Sequence, residues 1–341
     1  MTAATGPGGE ASALADSPVV ILGVSRSGTT LLKQMLDRHP QLAIPTESYF
    51  LPQLWDRHGD HPDREALLDD LERLPRISEW GVKRADVEEL MPGNPTFADA
   101  IQAVFRAYAH ARGKPRFGDK TPSYMQRLEV LERAFPDARY VHLVRDGRDA
   151  ALSFLAMTRK PRFNPARPRG GASFAVQWRR EVEGARRFGA GPAAGRYLEI
   201  RYERLVSDPE ETLREACAFL HLDFEPAMLE YHRDTQADTL RDHPWLAEPP
   251  TPGLRRWRDQ MSPADVEVFE AIAGKLLADL GYERAFRAPS ARARCLGHAH
   301  RAGMAARIAA WDAALALVRR SPAWRLRQVY IRRTYEPGTG P

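Results

Sequence analysis

The sequence predicts an α/β protein in which a parallel β-sheet is covered by helices on both faces. The first observation is a short, unbroken apolar run at residues 19–24, which is typical of a strand buried on both faces. The second is that further strand-like runs, at residues 116–118, 139–144 and 197–200, alternate with helical stretches. Because this alternation requires crossover connections, the strands are expected to be parallel.

The elements follow one another in a regular order along the chain. A helix is expected at residues 29–38, since His39-Pro40 ends it, and a second short apolar run follows at 42–44. Residues 49–112 have a mostly helical pattern, with breaks at Pro75 and Pro92. Further helices are predicted at 123–135, 147–158, 173–189, 209–221, 225–233 and 263–280.

Composition points to a soluble globular enzyme or binding protein. The chain has 341 residues, 43% of them hydrophobic and 28% charged, which is enough to bury a sizeable core. The two cysteines, Cys217 and Cys295, are too few for a disulfide framework or a metal cage and fit a reducing compartment. The sequence shows no signal peptide and no run of about 18 apolar residues. A cytoplasmic location is therefore expected.

The positive charge of the chain is concentrated in its C-terminal tail. Residues 285–341 contain eleven arginines and no lysine against Asp312 and Glu336, a net charge of +9. The whole chain carries +5, so residues 1–284 carry −4. A mildly acidic main body argues against nucleic acid as a partner.

These patterns predict three regions, which are a flexible N-terminus at 1–17, one domain at 18–284 and a basic amphipathic helical tail at 285–341. In the tail, apolar residues recur at steps of three and four and make one helix face: Met304, Ile308, Trp311, Leu315 and Val318. This face could pack on its own domain, or it could contact a partner or the inner face of an anionic membrane as a peripheral element.

The loop after the first predicted strand has the composition of a phosphate-binding loop. Gly23 and Gly28 stand five residues apart, which matches the G-x-x-x-x-G spacing of the Walker loop. Backbone N–H groups and the N-terminus of the following helix bind phosphate in such loops. Thr29 replaces the lysine that a nucleoside-triphosphate enzyme needs, and the positive charge stands at Arg26 instead. The hydroxyls near Arg26 belong to Ser25, Ser27, Thr29 and Thr30.

The segment RSGTTLL at residues 26–32 resembles the 5′-phosphosulfate loop of sulfotransferases that use 3′-phosphoadenosine-5′-phosphosulfate (PAPS). The next stretch, MLDRHP at 35–40, is more similar to the tyrosylprotein and carbohydrate branches than to the cytosolic small-molecule branch. The resemblance spans roughly residues 18–283 and implies the P-loop sulfotransferase fold, with PAPS as co-substrate. It also implies that Arg26 and its neighbours hold the 5′-phosphate and the sulfuryl group.

Three later segments are similar to the cofactor-binding parts of the same family. Arg145 follows a predicted strand and Ser153 lies eight residues later, a pair that holds the 3′-phosphate in the family. The fork of an arginine side chain suits this role because it donates two parallel hydrogen bonds. The resemblance implies a nucleotide contact for Tyr202 and, in a looser match, a 3′-phosphate contact for Arg256.

The resemblance also indicates which residues carry the chemistry. Glu47 stands twenty-one residues after Arg26, the offset at which the tyrosylprotein and carbohydrate branches place their proposed catalytic base. Lys120, in FGDKTP at 117–122, matches the lysine that stabilises the leaving phosphate, and Asp119 is expected to orient it. No metal is expected, because a sulfuryl group carries less charge than a phosphoryl group and the ten histidines form no ligand pattern.

The predicted function is therefore transfer of a sulfuryl group from PAPS to an acceptor hydroxyl on a carbohydrate, lipid, natural product or tyrosine. Residues 159–172, rich in Arg, Pro and Gly, could be an active-site lid or an ordinary surface loop. Two other interpretations remain open. One is a P-loop kinase that uses ATP and Mg²⁺, and the other is a non-catalytic module that binds adenine nucleotides.

Overall fold

A computed structural model describes residues 17–157, 167–233, 240, 243–250, 253 and 256–319. These residues belong to two compact units. The first unit comprises Met1–Arg145 with Gly184–Pro252, and the second comprises Asp146–Glu183 with Gly253–Pro341. The predicted N-terminal region at 1–17 and most of the predicted loop at 159–172 lie outside the described residues. The predicted division at residue 285 stays a prediction.

The first unit is built on a five-stranded sheet with the order β2-β3-β1-β4-β5. Its strands are β1 (Val19–Leu22), β2 (Leu42–Ala43), β3 (Arg116–Asp119), β4 (Arg139–Val144) and β5 (Tyr197–Arg201). Every pairing is parallel, and the register between β1 and β4 runs from Val19 opposite Arg139 to Leu22 opposite His142. The parallel sheet predicted from the strand–helix alternation is confirmed.

Eleven α-helices lie wholly or partly in the first unit or begin near it. They are α1 (Thr29–Asp37), α2 (Leu51–His58), α3 (Arg64–Glu72), α4 (Pro75–Glu79), α5 (Arg84–Leu90), α6 (Phe97–His110), α7 (Leu128–Ala134), α8 (Gly147–Met157), α9 (Gly171–Ala190), α10 (Tyr202–Ser207) and α11 (Pro209–Leu220). Of these, α8 belongs to the second unit, and α9 passes from the second unit into the first. Short 3₁₀ helices cover Pro122–Gln126, Pro226–Arg233 and Pro244–Ala247.

Helices cover both faces of the sheet because successive strand residues point to opposite sides. On one face, Ile21 and Leu143 pack in a buried cluster with Leu32 and Leu36 of α1 and with Leu213 of α11. The opposite face carries an aromatic cluster in which the Phe105 ring of α6 lies 5.8 Å from Phe117 and 5.3 Å from Phe135. The layered packing places the carboxyl ends of all five strands along one edge of the sheet.

The second unit is helical among its described residues. It contains α8, the first part of α9, α12 (Trp257–Gln260), α13 (Pro263–Asp279) and α14 (Ala291–Arg319). The predicted tail helix packs on α13, since Ala293 and Met304 are buried and Gly297 faces Ile272. The side chains of Leu315 and Val318 lie outside the description. Among the helices described, none is long and apolar enough to cross a membrane.

Two local predictions differ from the structure. The helix predicted at 123–135 is divided into a 3₁₀ helix and α7, because Arg127 between them has φ −140° and cannot continue a helix. Pro75, predicted as a break, is the first residue of α4. A proline is well suited to that position, since the first helical N–H has no partner within the helix.

Candidate active site

The predicted site residues of the first unit all follow the carboxyl ends of strands. Glu47 comes after β2, Lys120 after β3, the loop with Arg26 after β1, Arg145 after β4 and Tyr202 after β5. Since the sheet order is β2-β3-β1-β4-β5, these groups stand along one edge in that spatial order. Ligands of open α/β sheets bind at this edge.

The loop between β1 and α1 is tightly packed and contains two left-handed residues. Arg26 has φ 75° and Gly28 has φ 92°. A Cβ atom on Gly23 would lie 2.9 Å from the Leu143 carbonyl oxygen, and one on Gly28 would lie 2.4 Å from the Tyr202 ring. Both glycines are therefore needed for close approach of the backbone, as the phosphate-loop interpretation requires.

The environment of this loop fits an anionic group. Gly28 caps α1 without a side-chain hydrogen bond, and the first turn of the helix has no acidic residue. Such a helix start presents backbone N–H groups and a partial positive charge. Ser27 is buried, and its Oγ has no hydrogen-bond partner in the part of the chain that the structure describes. Thr29 is also buried, whereas Ser25 and Thr30 are half-buried.

Lys120 and Glu47 form an ion pair beside the loop. Lys120 Nζ donates to Glu47 Oε1 at 2.6 Å and to Thr30 Oγ1 at 3.2 Å. The Lys120 side chain is only 5% exposed, whereas that of Glu47 is 25% exposed. The structure thus brings together the two residues predicted for proton transfer and leaving-group stabilisation, although they are 73 residues apart in the chain.

Arg145 lies on the other side of the same loop. Its Nη1 donates to the Arg26 carbonyl oxygen at 3.3 Å, and its guanidinium carbon lies 4.3 Å from the centre of the Tyr202 ring. Arg145 is buried and Tyr202 is half-buried. The predicted nucleotide contacts Arg145 and Tyr202 therefore touch each other and the loop.

Two predicted site residues belong to the second unit. Ser153 is buried on α8, two turns after the start of that helix. Arg256 precedes α12, and its exposed side chain forms an ion pair with Asp259 at 3.1 Å. Their predicted contacts with a 3′-phosphate stay predictions.

Two aromatic residues that sequence analysis did not single out lie next to the loop. The Arg26 guanidinium carbon is 5.2 Å from the centre of the Trp245 ring, which is 43% exposed, and the His243 ring is 4.9 Å from Trp245. Burial, followed by the positive charges of Arg26 and Lys120, lowers the pKa of His243 to about 3. No periodicity or motif marks these residues, so only the tertiary structure reveals their position.

Asp119 does not orient Lys120 as predicted. Its Oδ1 instead accepts hydrogen bonds from Ser48 Oγ at 2.7 Å and from Thr121 Oγ1 at 3.2 Å. Ser48 Oγ also lies 2.8 Å from the Tyr124 hydroxyl. The sequence-based expectation was wrong because the aspartate and lysine side chains of adjacent strand-end residues point in different directions. Burial raises the pKa of Asp119 to about 7.

The raised pKa of Asp119 predicts a pH effect on stability. The native state holds this proton up to about pH 7, whereas the unfolded state loses it near pH 3.8. Between these values the native state binds more protons, so its free energy of unfolding falls as the pH rises, by a few kcal/mol at most. In Asp119→Asn this component is absent. Urea unfolding of both proteins from pH 4 to 8 should show a shrinking stability advantage of the wild type.

An exposed carboxylate provides the control for this measurement. Asp137→Asn alters a side chain at the surface, so its stability difference from wild type should stay constant over the same pH range. A constant difference for Asp119→Asn as well would show that Asp119 titrates normally.

Comparisons with known proteins were made after the geometry was established. The model of the Sulfotransferase family matches residues 18–226. Protein-tyrosine sulfotransferase 1 of Danio rerio is 28% identical over 286 residues, covering 79% of this chain and 73% of that protein. Nodulation protein NoeE of Sinorhizobium fredii (strain NBRC 101917 / NGR234) is 27% identical over 294 residues, covering 78% of this chain and 66% of that protein.

A solved structure shows the same likeness. The sulfotransferase domain from the Synechococcus PCC 7002 olefin synthase superposes with a TM-score of 0.56 and is 28% identical, covering 79% of this chain and 96% of that domain. The predicted fold and the predicted resemblance to the tyrosylprotein branch are both confirmed. Among the described residues, no group of three or more His, Cys, Asp and Glu side chains could hold a metal ion.

Proposed function

Because this chain belongs to the sulfotransferase family, we propose that it transfers a sulfuryl group from PAPS to an acceptor hydroxyl, with Glu47 as general base. The observation that carries the proposal is the 2.6 Å contact between Glu47 Oε1 and Lys120 Nζ beside the phosphate-binding loop. A carboxylate that accepts a proton and an ammonium that stabilises a leaving group are the two side chains that the reaction needs.

The donor would be held by the loop and by Arg145. The amides at the start of α1, the Ser27 hydroxyl and Arg26 suit the 5′-phosphate, because all of them can donate hydrogen bonds to an anion. Arg145 suits the 3′-phosphate, and Tyr202 offers a ring beside it. When bound, PAPS supplies the sulfuryl group and a phosphate leaving group.

The residues of this chain would then act on both ends of the transfer. Glu47 accepts the proton that the acceptor hydroxyl loses as its oxygen bonds to sulfur. Lys120 and Arg26 stabilise the negative charge on the 5′-phosphate oxygen once its bond to sulfur has broken. Since both cations are fixed by the fold, little reorganisation is needed during the reaction.

The acceptor is proposed only as a hydroxyl compound. Relatives named protein-tyrosine sulfotransferases make a tyrosine hydroxyl the first acceptor to test, followed by sugar, lipid and natural-product hydroxyls. The cytoplasmic location and a contact of residues 285–341 with a membrane or partner stay predictions.

Calorimetry with 3′-phosphoadenosine-5′-phosphate (PAP) tests the donor site. We expect micromolar binding that EDTA does not change, and Arg145→Ala should weaken it about 10- to 100-fold, since the variant lacks a charge-assisted contact with phosphate. Arg139→Ala is a matched control, because Arg139 also donates to a backbone carbonyl and stacks on an aromatic ring, that of Phe219. It should leave PAP binding unchanged.

The same experiment separates the alternatives. Binding of ATP with Mg²⁺ but not of PAP would replace the sulfotransferase proposal with the kinase interpretation. Binding of PAP without any transfer from labelled PAPS to a panel of tyrosine peptides, phenols, saccharides and lipids would favour a non-catalytic module. Transfer to one member of the panel would identify the acceptor class.

A further inference from the structure

We propose that Ser48 and Asp119 are positioning residues, and that the hydrogen bond between their side chains holds Glu47 against Lys120. This inference rests on the proposed function of the Glu47–Lys120 pair. It assigns a purpose to a buried polar cluster that neither binds the donor loop nor packs in the apolar core. We call this cluster the Ser48–Asp119 clamp, and it consists of Ser48, Asp119, Thr121 and Tyr124.

The clamp joins the two segments that carry the reacting pair. Ser48 directly follows Glu47, and Asp119 directly precedes Lys120. Ser48 Oγ donates to Asp119 Oδ1 at 2.7 Å across 71 residues of chain. The clamp bond and the Glu47–Lys120 ion pair are therefore two adjacent links between the same two strand ends, the buried one fixing the position of the half-exposed one.

Three further hydrogen bonds fix the same two segments. Ser48 N donates to Thr121 Oγ1 at 3.0 Å, and Thr121 Oγ1 itself lies 3.2 Å from Asp119 Oδ1. The Tyr124 hydroxyl lies 2.8 Å from Ser48 Oγ and accepts from Leu51 N at 3.1 Å. Both the backbone and the side chain of Ser48 are thus held by residues that follow β3.

The backbone after Ser48 shows why such fixing is needed. Tyr49 has φ 59°, a left-handed conformation that is unfavourable for a residue with a Cβ atom. Strain of this kind persists only where the surrounding contacts enforce it, and it is found at functional sites. The bonds to Ser48 N and Leu51 N lie on either side of Tyr49. If the clamp is removed, Tyr49 can relax and carry the preceding Glu47 away from Lys120.

The burial of the clamp makes it a rigid support. Ser48, Asp119, Thr121 and Tyr124 are each no more than 3% exposed. Water cannot replace hydrogen bonds at such depth, whereas the Glu47 side chain is 25% exposed and its ion pair can exchange with solvent. Because a displacement of about 1 Å can cost about 10²-fold in rate, a rigid support for the base has a direct kinetic consequence.

Ser48→Ala tests this role, since it removes the clamp hydroxyl and leaves Glu47 and Lys120 unchanged. In crystals grown without nucleotide, we expect the distance from Glu47 Oε1 to Lys120 Nζ to exceed 3.5 Å, compared with 2.6 Å in the wild type. With the acceptor identified by the panel, kcat should fall at least about 10-fold while the Kd for PAP stays within about twofold. Asp119→Asn, which keeps an acceptor oxygen for Ser48, should lose less activity than Asp119→Ala.

Thr212→Val is the matched control for the loss of a buried hydroxyl. Thr212 is buried in the same unit, and its Oγ1 donates to the Asp208 carbonyl oxygen at 2.7 Å, far along the chain from the clamp. It should lower stability without changing kcat. An unchanged 2.6 Å ion pair in Ser48→Ala, or an equal loss of kcat in Thr212→Val, would overturn the proposal. If wild-type protein fails to bind PAP, the proposed function is wrong, and the crystal distance still decides whether the clamp positions Glu47.

Discussion

Replacing Glu47 by glutamine is expected to lower kcat for sulfuryl transfer by about 10²- to 10⁴-fold, the range contributed by general bases. Glutamine has nearly the same shape and can still accept a hydrogen bond from Lys120, but it cannot take a proton from the acceptor hydroxyl. The Kd for PAP should therefore change little. Steady-state transfer from labelled PAPS, together with PAP calorimetry, measures both quantities.

Glu132→Gln is the matched control for this substitution. Glu132 is also a carboxylate that forms a 2.6 Å ion pair, with Arg196, and its side chain is 27% exposed compared with 25% for Glu47. Removing its charge should affect folding stability but not kcat. Wild-type kcat in Glu47→Gln would show that another group accepts the proton, and His243 would then be examined first.

Replacing Lys120 by methionine should lower kcat by about 10²- to 10³-fold, the effect of removing one preorganised charge from a transition state. The Lys120 ammonium is buried and donates to Thr30 of the loop as well as to Glu47, so its charge acts where water screens it little. Methionine retains the length of the side chain without its charge. The expected result is a large loss of kcat with a smaller loss of PAP affinity.

Lys114→Met provides the comparison, because Lys114 is also half-buried and donates to backbone carbonyls, including that of Leu42 at 2.9 Å. Its kcat should equal that of the wild type. In the double variant of Glu47→Gln and Lys120→Met the two losses should not add, since contacting residues that act in one step are coupled. Additive losses would mean that the two side chains act independently, and the proposed pairing would be rejected.

Several features of this protein could be predicted from local sequence. The apolar run at 19–24 and the alternation of strands with helices predict a parallel sheet, because strand and helix periodicities are properties of neighbouring residues. The spacing of Gly23 and Gly28 and the hydroxyls around Arg26 predict a phosphate loop for the same reason. The resemblance at 26–40 added the family, and the match over residues 18–226 confirms it.

The tertiary structure decided which of these segments meet. Glu47 and Lys120 are 73 residues apart, and their contact depends on β2 lying next to β3, which no local pattern encodes. The partner of Asp119 was predicted wrongly, because sequence adjacency to Lys120 does not reveal that its side chain points to Ser48. His243 and Trp245 carry no motif, and only the fold places them beside Arg26 and its loop.

Sequence alone therefore determined the types of element, the phosphate loop and the family, all of which depend on residues close together in the chain. The order of the strands, β2-β3-β1-β4-β5, determined the site, because parallel strands bring distant chain segments to one edge of a sheet. The pairing of the base with its lysine and the buried clamp behind them arise from that order. They are set by packing of the whole unit, whose free energy no short segment contains.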